Sequence, residues 1–429
     1  MDIQLEALAA AVRNAQRSFG SARGGQRSAV LRRLASILEE REAALLRANR
    51  RDLEAAEETG LTGTLLKRLA LTPEKLETLR AGVLQLAAQE DPIGRALRRT
   101  ELDDGLVLTQ VASPLGVLLI IFESRPDAVI QIGSLALRTG NGVILKGGSE
   151  ALYSNRALVE CLRRALEEEG QPADAVVGIE GRQAVADLLA LDHHIDLVIP
   201  RGSGKLVRSI QSSTRIPVLG HAEGICHLYL DASADPATAA RLAVDGKCTY
   251  PSACNATETL LVHEAFLPHL AEVSEALTAR GVSLRGDDRS LPHLAGASLA
   301  HETDWATEWG DLTLGVRVVD SLDEAIDHIH RYGSAHTDAI VARDELAAER
   351  FLQEVDSASV FSNASTRFAD GFRYGLGAEV GIATGRIHAR GPVGVDGLLT
   401  TRWLLRGEGQ ATDDYGPGKR TFKHRRLVG

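Results

Sequence analysis

The run Gly116-Val117-Leu118-Leu119-Ile120-Ile121-Phe122 is apolar from end to end. A continuous apolar run of this length is typical of a strand that is covered on both faces, as in a parallel sheet. A helical pattern follows at residues 126–138, and a second short apolar strand follows at residues 142–146. Alternating βα units of this size predict a doubly wound parallel sheet that binds ligands at the carboxyl ends of its strands.

The same alternation of strands and helices extends along most of the chain. Residues 1–90 have the apolar stripes of helices, and residues 105–111 alternate like a strand that lies apart from the βα units. The first unit continues with a helix at about 150–169 and strands at about 175–179 and 195–199. A second α/β unit is predicted from about residue 225, with strands at about 225–230, 315–319, 338–342 and 357–362 and helices at about 264–279 and 321–332. A further strand is predicted at residues 398–406. Residues 281–309 show no regular pattern, and we expect an irregular segment there.

Composition excludes several classes of protein. The 429 residues are 44% hydrophobic and 25% charged, which is typical of a globular protein, and no apolar run is long enough to span a membrane. The start of the chain lacks the pattern of a secretory signal, and the four cysteines lack metal-ligand spacing, so we expect a cytoplasmic protein without a bound metal. A net charge of −10 argues against nucleic-acid binding. An anionic substrate would need a local cluster of cations.

Two loops between strands and helices carry residues suited to binding a nucleotide. Lys146-Gly147-Gly148-Ser149-Glu150 follows a predicted strand, and its glycines permit close approach of a ligand to the backbone. Pro200-Arg201-Gly202-Ser203-Gly204-Lys205 also precedes a helix, whose free N–H groups can face an anion. Neither loop has the spacing of a P-loop or of the usual dinucleotide fingerprint. Each is a binding loop or a plain βα turn.

A cysteine lies in a turn just ahead of another predicted core strand. The segment Tyr250-Pro251-Ser252-Ala253-Cys254-Asn255 is turn-forming, and the apolar residues 260–262 follow it. A thiol on a loop that a buried strand fixes is suited to act as a nucleophile. The alternative is that Cys254 is a small buried hydrophobe. This stretch by itself does not decide between the two.

Several motifs in the same order resemble the γ-glutamyl phosphate reductase family (glutamate-5-semialdehyde dehydrogenases), a branch of the aldehyde dehydrogenase superfamily. The motifs are Ile121-Phe122-Glu123-Ser124-Arg125-Pro126-Asp127, Val143-Ile144-Leu145-Lys146-Gly147-Gly148, Val198-Ile199-Pro200-Arg201-Gly202, Tyr250-Pro251-Ser252-Ala253-Cys254-Asn255-Ala256, Asn363-Ala364-Ser365-Thr366-Arg367-Phe368 and His388-Ala389-Arg390-Gly391-Pro392. The resemblance covers the chain from the N-terminal helices to the tail.

The resemblance implies an aldehyde-dehydrogenase-like α/β fold made of two doubly wound domains and a small oligomerisation element. The cofactor-binding domain would span residues 1–225, with residues 100–112 contributing to the oligomerisation element. The catalytic domain would span residues 226–395. Residues 396–429 would supply the oligomerisation strand and a basic tail. The resemblance also implies a homo-oligomer.

The implied reaction is the NADPH-dependent reduction of L-glutamyl 5-phosphate to L-glutamate 5-semialdehyde and phosphate, in proline biosynthesis. In the superfamily the residue matching Cys254 is the nucleophile, which would hold the glutamyl group as a thioester. Lys146 matches the lysine on the adenosine ribose, Gly202 and Ser203 match the loop under the pyrophosphate, and Glu308 falls where a glutamate commonly holds the nicotinamide ribose. No stretch of this chain resembles a kinase, so a separate glutamate 5-kinase, in transient contact, would supply the substrate.

Departures from the wider superfamily suit a reductase of acyl phosphates. Aldehyde oxidisers carry a glutamate that activates water, and here Glu223 is displaced from that position. Asp127 stands where this family commonly has asparagine. A thiolate is favoured by nearby cations, for which Lys247, Arg125 and His221 are candidates.

Candidate ligands of the substrate are Arg125, whose guanidinium suits a phosphate or a carboxylate, and, more weakly, Asn363, Ser365 and Arg367. Arg125 could equally form a structural salt bridge. Two other functions stay open: a related enzyme with a different substrate or an aldehyde oxidiser, and a catalytically silent scaffold that binds a kinase. The basic tail at residues 418–426 is interpreted as solvated or in contact with another subunit, rather than as a binding site for RNA or an acidic partner.

Overall fold

The computed structural model describes residues 3–60, 64–123, 125–181 and 183–427, so Ser124 of the motif above lies outside the described residues. The α-helices are α1 Ile3–Gly20, α2 Gly24–Glu40, α3 Glu42–Glu58, α4 Thr64–Leu69, α5 Pro73–Ala88, α6 Asp127–Arg138, α7 Leu152–Glu168, α8 Gln183–Leu188, α9 Gly204–Ser213, α10 Pro236–Cys248, α11 Leu270–Thr278, α12 Leu322–Tyr332 and α13 Glu345–Glu354. Among these residues no helix combines the length and the apolar character that a membrane span needs.

The strands form three larger sheets and one short pair. In chain order they are β1 Ala96–Asp103, β2 Leu106–Pro114, β3 Val117–Phe122, β4 Gly142–Lys146, β5 Val176–Gly178, β6 Leu197–Arg201, β7 Cys226–Leu230, β8 Thr257–His263, β9 Ser283–Gly286, β10 Ser298–Leu299, β11 Thr313–Val319, β12 Thr337–Val341, β13 Ser359–Ser362, β14 Ile382–Ala383, β15 Gly391–Pro392, β16 Leu399–Arg406 and β17 Arg425–Leu427.

The first sheet is parallel and has the strand order β5-β4-β3-β6. Its central strand is buried on both faces, because alternate residues enter two different cores. Leu118 and Ile120 pack with helices α2 and α5 to α7, whereas Val117 and Leu119 pack with residues of α1 and α9. The predicted doubly wound arrangement is confirmed. From β3 the chain adds β4 and β5 on one side and then returns to add β6 on the other side of β3. The sheet therefore has a topological switch point between β3 and β6.

The second sheet is also parallel and has the order β10-β9-β11-β8-β7-β12-β13. Its strand β8 again alternates between two cores, with Leu260 and Val262 on one side and Leu261 on the other. The expectation of an irregular segment at residues 281–309 was wrong in part, because β9 and β10 lie within it. These strands are too short to show a period of two, and they are supported by pairing, β9 with β11 and β10 with β9.

The third sheet is antiparallel, with the order β16-β2-β1-β17. It joins the segment near residue 100 to the end of the chain, as the resemblance implied for the oligomerisation element. The basic tail is paired with acidic groups of the β1–β2 hairpin: Arg420 lies 2.7 Å from Asp103, and Arg425 lies 2.5 Å from Glu101. The positive charge of the tail is therefore largely balanced within the chain. The division into domains at residues 225 and 395 stays a prediction.

Candidate active site

Cys254 lies in the turn that connects α10 to β8. Two consecutive backbone hydrogen bonds form this turn, Ala253 N–H to Tyr250 O at 3.1 Å and Ala256 N–H to Ala253 O at 2.9 Å. Gly224 passes so close beneath it that a Cβ atom at Gly224 would lie 2.0 Å from the carbonyl oxygen of Cys254. Cys254 is half-buried and lines an open cavity of about 580 Å³, so it is not enclosed in a core.

This cavity, called the thiol cavity below, lies between the two parallel sheets. Its lining includes Glu123 and Arg201 at the carboxyl ends of β3 and β6, which is the switch point of the first sheet. From the second sheet it includes the turn at Cys254, which precedes the amino end of β8. The position agrees with the rule that open α/β sheets bind ligands at a switch point.

Arginines concentrate in the thiol cavity although the chain as a whole is acidic. Its lining contains Arg68, Arg125, Arg201 and Arg367. Burial, followed by the positive charge of Arg125, lowers the pKa of Arg201, and the charge of Cys254 acts in the opposite direction. Burial and then Arg373 lower the pKa of Arg367, which also interacts with the charge of Cys254. The cavity supplies the local cluster of cations that an anionic substrate needs.

A second cavity of about 590 Å³, called the loop cavity below, lies at the carboxyl ends of β4 and β5. Lys146, Gly147, Gly148 and Ser149 line it, as the binding interpretation of this loop predicts. A Cβ atom at Gly147 would lie 2.1 Å from the amide nitrogen of Asn155 and 3.0 Å from the ring of Phe122. A side chain at this position would therefore displace the loop.

The turn between β6 and α9 lies in the thiol cavity, on the same edge of the first sheet as the loop cavity. Ser203 caps α9, because its Oγ accepts a hydrogen bond from Leu206 N–H at 3.4 Å. The backbone N–H of Ser203 donates to Glu123 Oε2 at 3.2 Å. A carboxylate thus lies at the positive end of the helix, where a phosphate group also binds well. Gly202 allows this contact, since its Cβ atom would lie 2.6 Å from the same oxygen.

Of the other candidate site residues, two line the thiol cavity and two are hydrogen-bonded within a neighbouring loop. Arg125 and Glu308 line it, and Glu308 interacts electrostatically with His221. The Asn363 amide is bonded to both backbone groups of Ala342, at 2.8 and 3.1 Å, and Ser365 Oγ accepts from Arg367 N–H at 3.3 Å. Asn363 and Ser365 are therefore engaged in shaping the loop that carries Arg367.

Two of the three cations proposed to favour a thiolate at Cys254, namely Lys247 and His221, are engaged in other interactions. Lys247 is fully buried, and its Nζ lies 2.5 Å from Glu258 Oε2. His221 is held by a hydrogen bond between its Nδ1 and the carbonyl oxygen of Ile382 at 2.7 Å, and burial lowers its pKa, which favours the neutral ring. Arg125 stays a candidate. Arg201 and Arg367 interact electrostatically with Cys254, and Arg201 was missed although it lies within a quoted motif.

Histidine 336 was also missed from the sequence. His336 is fully buried just ahead of β12, and its ring packs edge-on against the ring of His221 with a centroid separation of 4.9 Å. Cys226 Sγ lies 3.8 Å from its Nδ1. No local pattern marks this histidine, because its neighbours come from distant parts of the chain.

The fold is that of the aldehyde dehydrogenases, and the profile of the aldehyde dehydrogenase family matches residues 2–305. The chain therefore belongs to the aldehyde dehydrogenase family. Within the family it groups with γ-glutamyl phosphate reductases. The curated protein of that name from Synechococcus sp. (strain CC9605) is 52% identical over 97% of this chain and 96% of its own length. Another, from Pelotomaculum thermopropionicum, is 49% identical over 99% and 98%.

Solved structures agree with this grouping. The crystal structure of γ-glutamyl phosphate reductase from Thermotoga maritima matches with a TM-score of 0.93 and 37% identity, over 95% of this chain and 99% of that one. The enzyme of the same name from Saccharomyces cerevisiae matches with a TM-score of 0.54 and 38% identity, over 95% and 98%. An engineered glycolyl-CoA reductase with bound NADP⁺, at 16% identity, a TM-score of 0.65 and coverage of 93% and 96%, shares the fold.

Proposed function

We propose that this chain reduces L-glutamyl 5-phosphate to L-glutamate 5-semialdehyde and phosphate in proline biosynthesis, with NADPH as the reductant and a thioester on Cys254 as the intermediate. The observation that carries the proposal is that Cys254 opens into a cavity lined by four arginines and by the N-terminus of α9. A substrate with a phosphate at one end and a carboxylate at the other needs cations of this kind. The names of the relatives point to the same substrate.

The first step would be attack by the Cys254 thiolate on the acyl carbon. The bond from sulfur to carbon forms, the bond from carbon to the phosphate oxygen breaks, and phosphate leaves with both electrons. The developing oxyanion needs donors, and the backbone N–H of Cys254 has no acceptor among the described residues. Arg125 and Arg367 are the groups that we assign to the phosphate and the carboxylate of the substrate. Asn363 and Ser365 would hold the Arg367 loop in place.

The residues fit a nicotinamide dinucleotide that extends from the loop cavity to the thiol cavity. Lys146 and Ser149 would hold the adenosine ribose, the turn at Gly202 and Ser203 would hold the pyrophosphate, and Glu308 would hold the nicotinamide ribose. Gly147 and Gly202 let these loops lie close to the side chains of Asn155 and Glu123, because a Cβ atom at either position would lie 2.1 or 2.6 Å from those groups. When bound, the cofactor supplies the hydride that converts the thioester to the aldehyde. Arg156 and Arg163 also line the loop cavity, and such cations suit the extra phosphate of NADPH.

The position of Glu223 argues against aldehyde oxidation. Its carboxylate lies 2.6 Å from the Arg208 guanidinium, and its neighbour Ala222, rather than Glu223 itself, lines the thiol cavity. A carboxylate held in this way is not available to activate water against a thioester. A reductase of acyl phosphates needs the thioester to survive until the hydride arrives, so the absence of a base at this position favours reduction.

Replacement of the nucleophile tests the proposal. The assay runs in reverse, with semialdehyde, inorganic phosphate and either NADP⁺ or NAD⁺, and the wild-type chain should reduce NADP⁺ only when phosphate is present. Cys254→Ser should lose more than nine-tenths of the rate, because loss of a nucleophile costs several kcal/mol of barrier. Cys248→Ser, a thiol outside the cavity, is the matched control. Full activity of Cys254→Ser, or turnover without phosphate, would contradict the thioester route, and an inactive wild-type chain would favour a silent scaffold.

The assembly is part of the same proposal. Strand β16 is an edge strand, and it carries Trp403 and Leu405 at 49% and 57% exposure. We assign this edge to a homo-oligomer interface, with residues 1–225 as the cofactor-binding domain and 226–395 as the catalytic domain. A glutamate 5-kinase in transient contact in the cytoplasm would supply the labile acyl phosphate.

A further inference from the structure

Three potential metal ligands meet at the edge of the thiol cavity. Cys254 Sγ and one ring nitrogen each of His221 and His336 lie within 4.8 Å of one another. The three residues come from three places: the crossover before β7, the turn before β8, and the residue before β12. All three places belong to the amino ends of neighbouring strands of the second sheet, which explains how residues so far apart in the chain come together.

Both histidines have one ring nitrogen engaged with an oxygen atom. His221 Nδ1 is bonded to the carbonyl oxygen of Ile382 at 2.7 Å, and His336 Nδ1 is bonded to Thr337 Oγ1 at 2.8 Å. His336 Nε2 is buried and has no hydrogen-bond partner among the described residues. Histidines that bind metals usually have one nitrogen fixed by an oxygen in this way, with the other nitrogen on the metal. A buried nitrogen without a partner is costly, so a ligand that occupies it would stabilise the site.

We propose that Cys254, His221 and His336 form a site for a thiophilic divalent cation, with Zn²⁺ as the representative ion. The ligand set of one thiolate and two imidazoles suits zinc and disfavours magnesium and calcium, which prefer oxygen. Bond lengths of about 2.0–2.3 Å to zinc require the donors to lie about 3.3–3.6 Å apart in a tetrahedron. The donor atoms lie within 4.8 Å of one another, so the three side chains must move closer together when a metal binds. The fourth position faces the thiol cavity and would be taken by water.

The charges around the site permit a cation in spite of the arginines. The carboxylates of Glu308 and Glu379 interact electrostatically with His221, and both line the thiol cavity. Entry would be through the cavity that admits the substrate.

Metal binding would inhibit the enzyme reversibly, and this consequence rests on the proposed function. The bond from sulfur to zinc replaces the S–H bond of the free thiol, the proton passes to solvent, and no oxidant or reductant is needed. A thiolate whose lone pair is on zinc cannot attack an acyl phosphate. A chelator that removes the metal would restore the rate.

Binding is tested without reference to activity, by titrating the metal-free full-length chain with ZnCl₂ against a chromophoric chelator and with CoCl₂ by absorption spectroscopy. A phosphine reductant is used because small thiols bind both ions. We expect one Zn²⁺ for each chain, and with Co²⁺ a near-ultraviolet band from the thiolate that is absent in Cys254→Ser. In His336→Asn and His221→Asn, the asparagine amide takes the place of the ring nitrogen Nδ1, and the proposed metal ligand Nε2 is removed. Each variant should therefore keep the fold and bind Zn²⁺ at least ten-fold more weakly.

Control variants are Cys248→Ser and His263→Asn, a thiol and a histidine outside the cluster, which should bind zinc like the wild type. Equal affinity in His336→Asn and His221→Asn, or a stoichiometry of zero, would overturn the site. Should one histidine variant fail to fold, as judged by circular dichroism, the other decides. Activity that is lost with the chelator and restored by zinc would overturn the inhibitory role. The rate of Cys254→Ser without metal tests the proposed function separately, so the two failures are distinguishable.

Discussion

Lys247 and Glu258 form a buried ion pair that flanks the turn of Cys254 in the sequence. Both side chains are fully buried, and their charged atoms are 2.5 Å apart. Burial raises the pKa of Glu258 to about 7, against the opposing effect of Lys247. Glu258 Oε1 also accepts from Gly310 N–H at 3.4 Å, close to the loop of Glu308. The pair therefore connects α10, β8 and the loop of Glu308, and its residues support the site rather than contact the substrate.

Removal of one partner from this pair should be more harmful than removal of both. Lys247→Met leaves a buried carboxylate and should reduce the free energy of unfolding by about 3–5 kcal/mol, whereas the double variant Lys247→Met/Glu258→Leu should recover most of that loss. The loss of unfolding free energy in Lys247→Met should be smaller below pH 7, because Glu258 without its partner can then be protonated. Urea unfolding of the three proteins at pH 6 and pH 8 measures this. A double variant no more stable than Lys247→Met would show that the pair is stabilising beyond its desolvation cost.

At the scale of the element, α12 carries a histidine on its buried face. His328 packs against the rings of His227, Trp305 and Tyr332, and neither of its ring nitrogens has a hydrogen-bond partner among the residues described. Burial, followed by the charge of His227, lowers its pKa to about 2. The unfolded chain takes up a proton on this histidine below its ordinary pKa of about 6.5, whereas the folded chain does not. The folded state is therefore destabilised as the pH falls below that value.

His328→Phe should reduce the sensitivity of the fold to acid. In the wild type, His328 should lower the free energy of unfolding by about 2 kcal/mol between pH 7.5 and pH 5. This follows from about 1.36 kcal/mol for each pH unit below the ordinary pKa of histidine. The phenylalanine variant lacks this contribution, so its free energy of unfolding should change less over the same interval. Urea titrations at the two pH values provide the measurement. His193→Gln, at a histidine with 93% side-chain exposure, serves as the control and should behave like the wild type.

Elements in the first parallel sheet were predictable because their periodicity is local. The apolar run of β3, the glycine-rich loop after β4 and the turn after β6 each show their role in fewer than ten residues. The short strands β9 and β10 were not predictable, since two to four residues do not show a period of two. Their support comes from the pairing of β9 with β11 and of β10 with β9. Pairing between distant segments is a tertiary property.

For the whole molecule, the third sheet is the surface from which an assembly is expected. It combines strands from near residue 100 with the end of the chain, and its edge strand β16 leaves Trp403 and Leu405 exposed on one face. An exposed edge strand with large apolar side chains either pairs with another chain or promotes aggregation. A second copy of this chain is the partner that we proposed above for this face.

Trp403→Asp/Leu405→Asp should therefore convert the oligomer to a monomer. Two charges at the interface face oppose burial, and light scattering coupled to gel filtration should show the mass fall to that of one chain, 45.9 kDa. Leu346→Asp, at an exposed leucine on α13 with 82% exposure, is the matched control and should leave the mass unchanged. A monomeric wild type, or a double variant with the wild-type mass, would contradict the assignment of this face.

The sequence by itself determined the α/β fold, the family, the loop at Lys146 and the turn at Cys254, because each is recorded in a short continuous motif. Only the tertiary structure brought Arg201 and Arg367 to one cavity with Cys254, engaged Lys247 and Asn363 elsewhere, and placed His221 and His336 beside the thiol. The physical reason is distance along the chain. A buried charge or a ligand atom is stabilised by neighbours in space, and residues 221, 254 and 336 become neighbours only when the strands of the second sheet are paired.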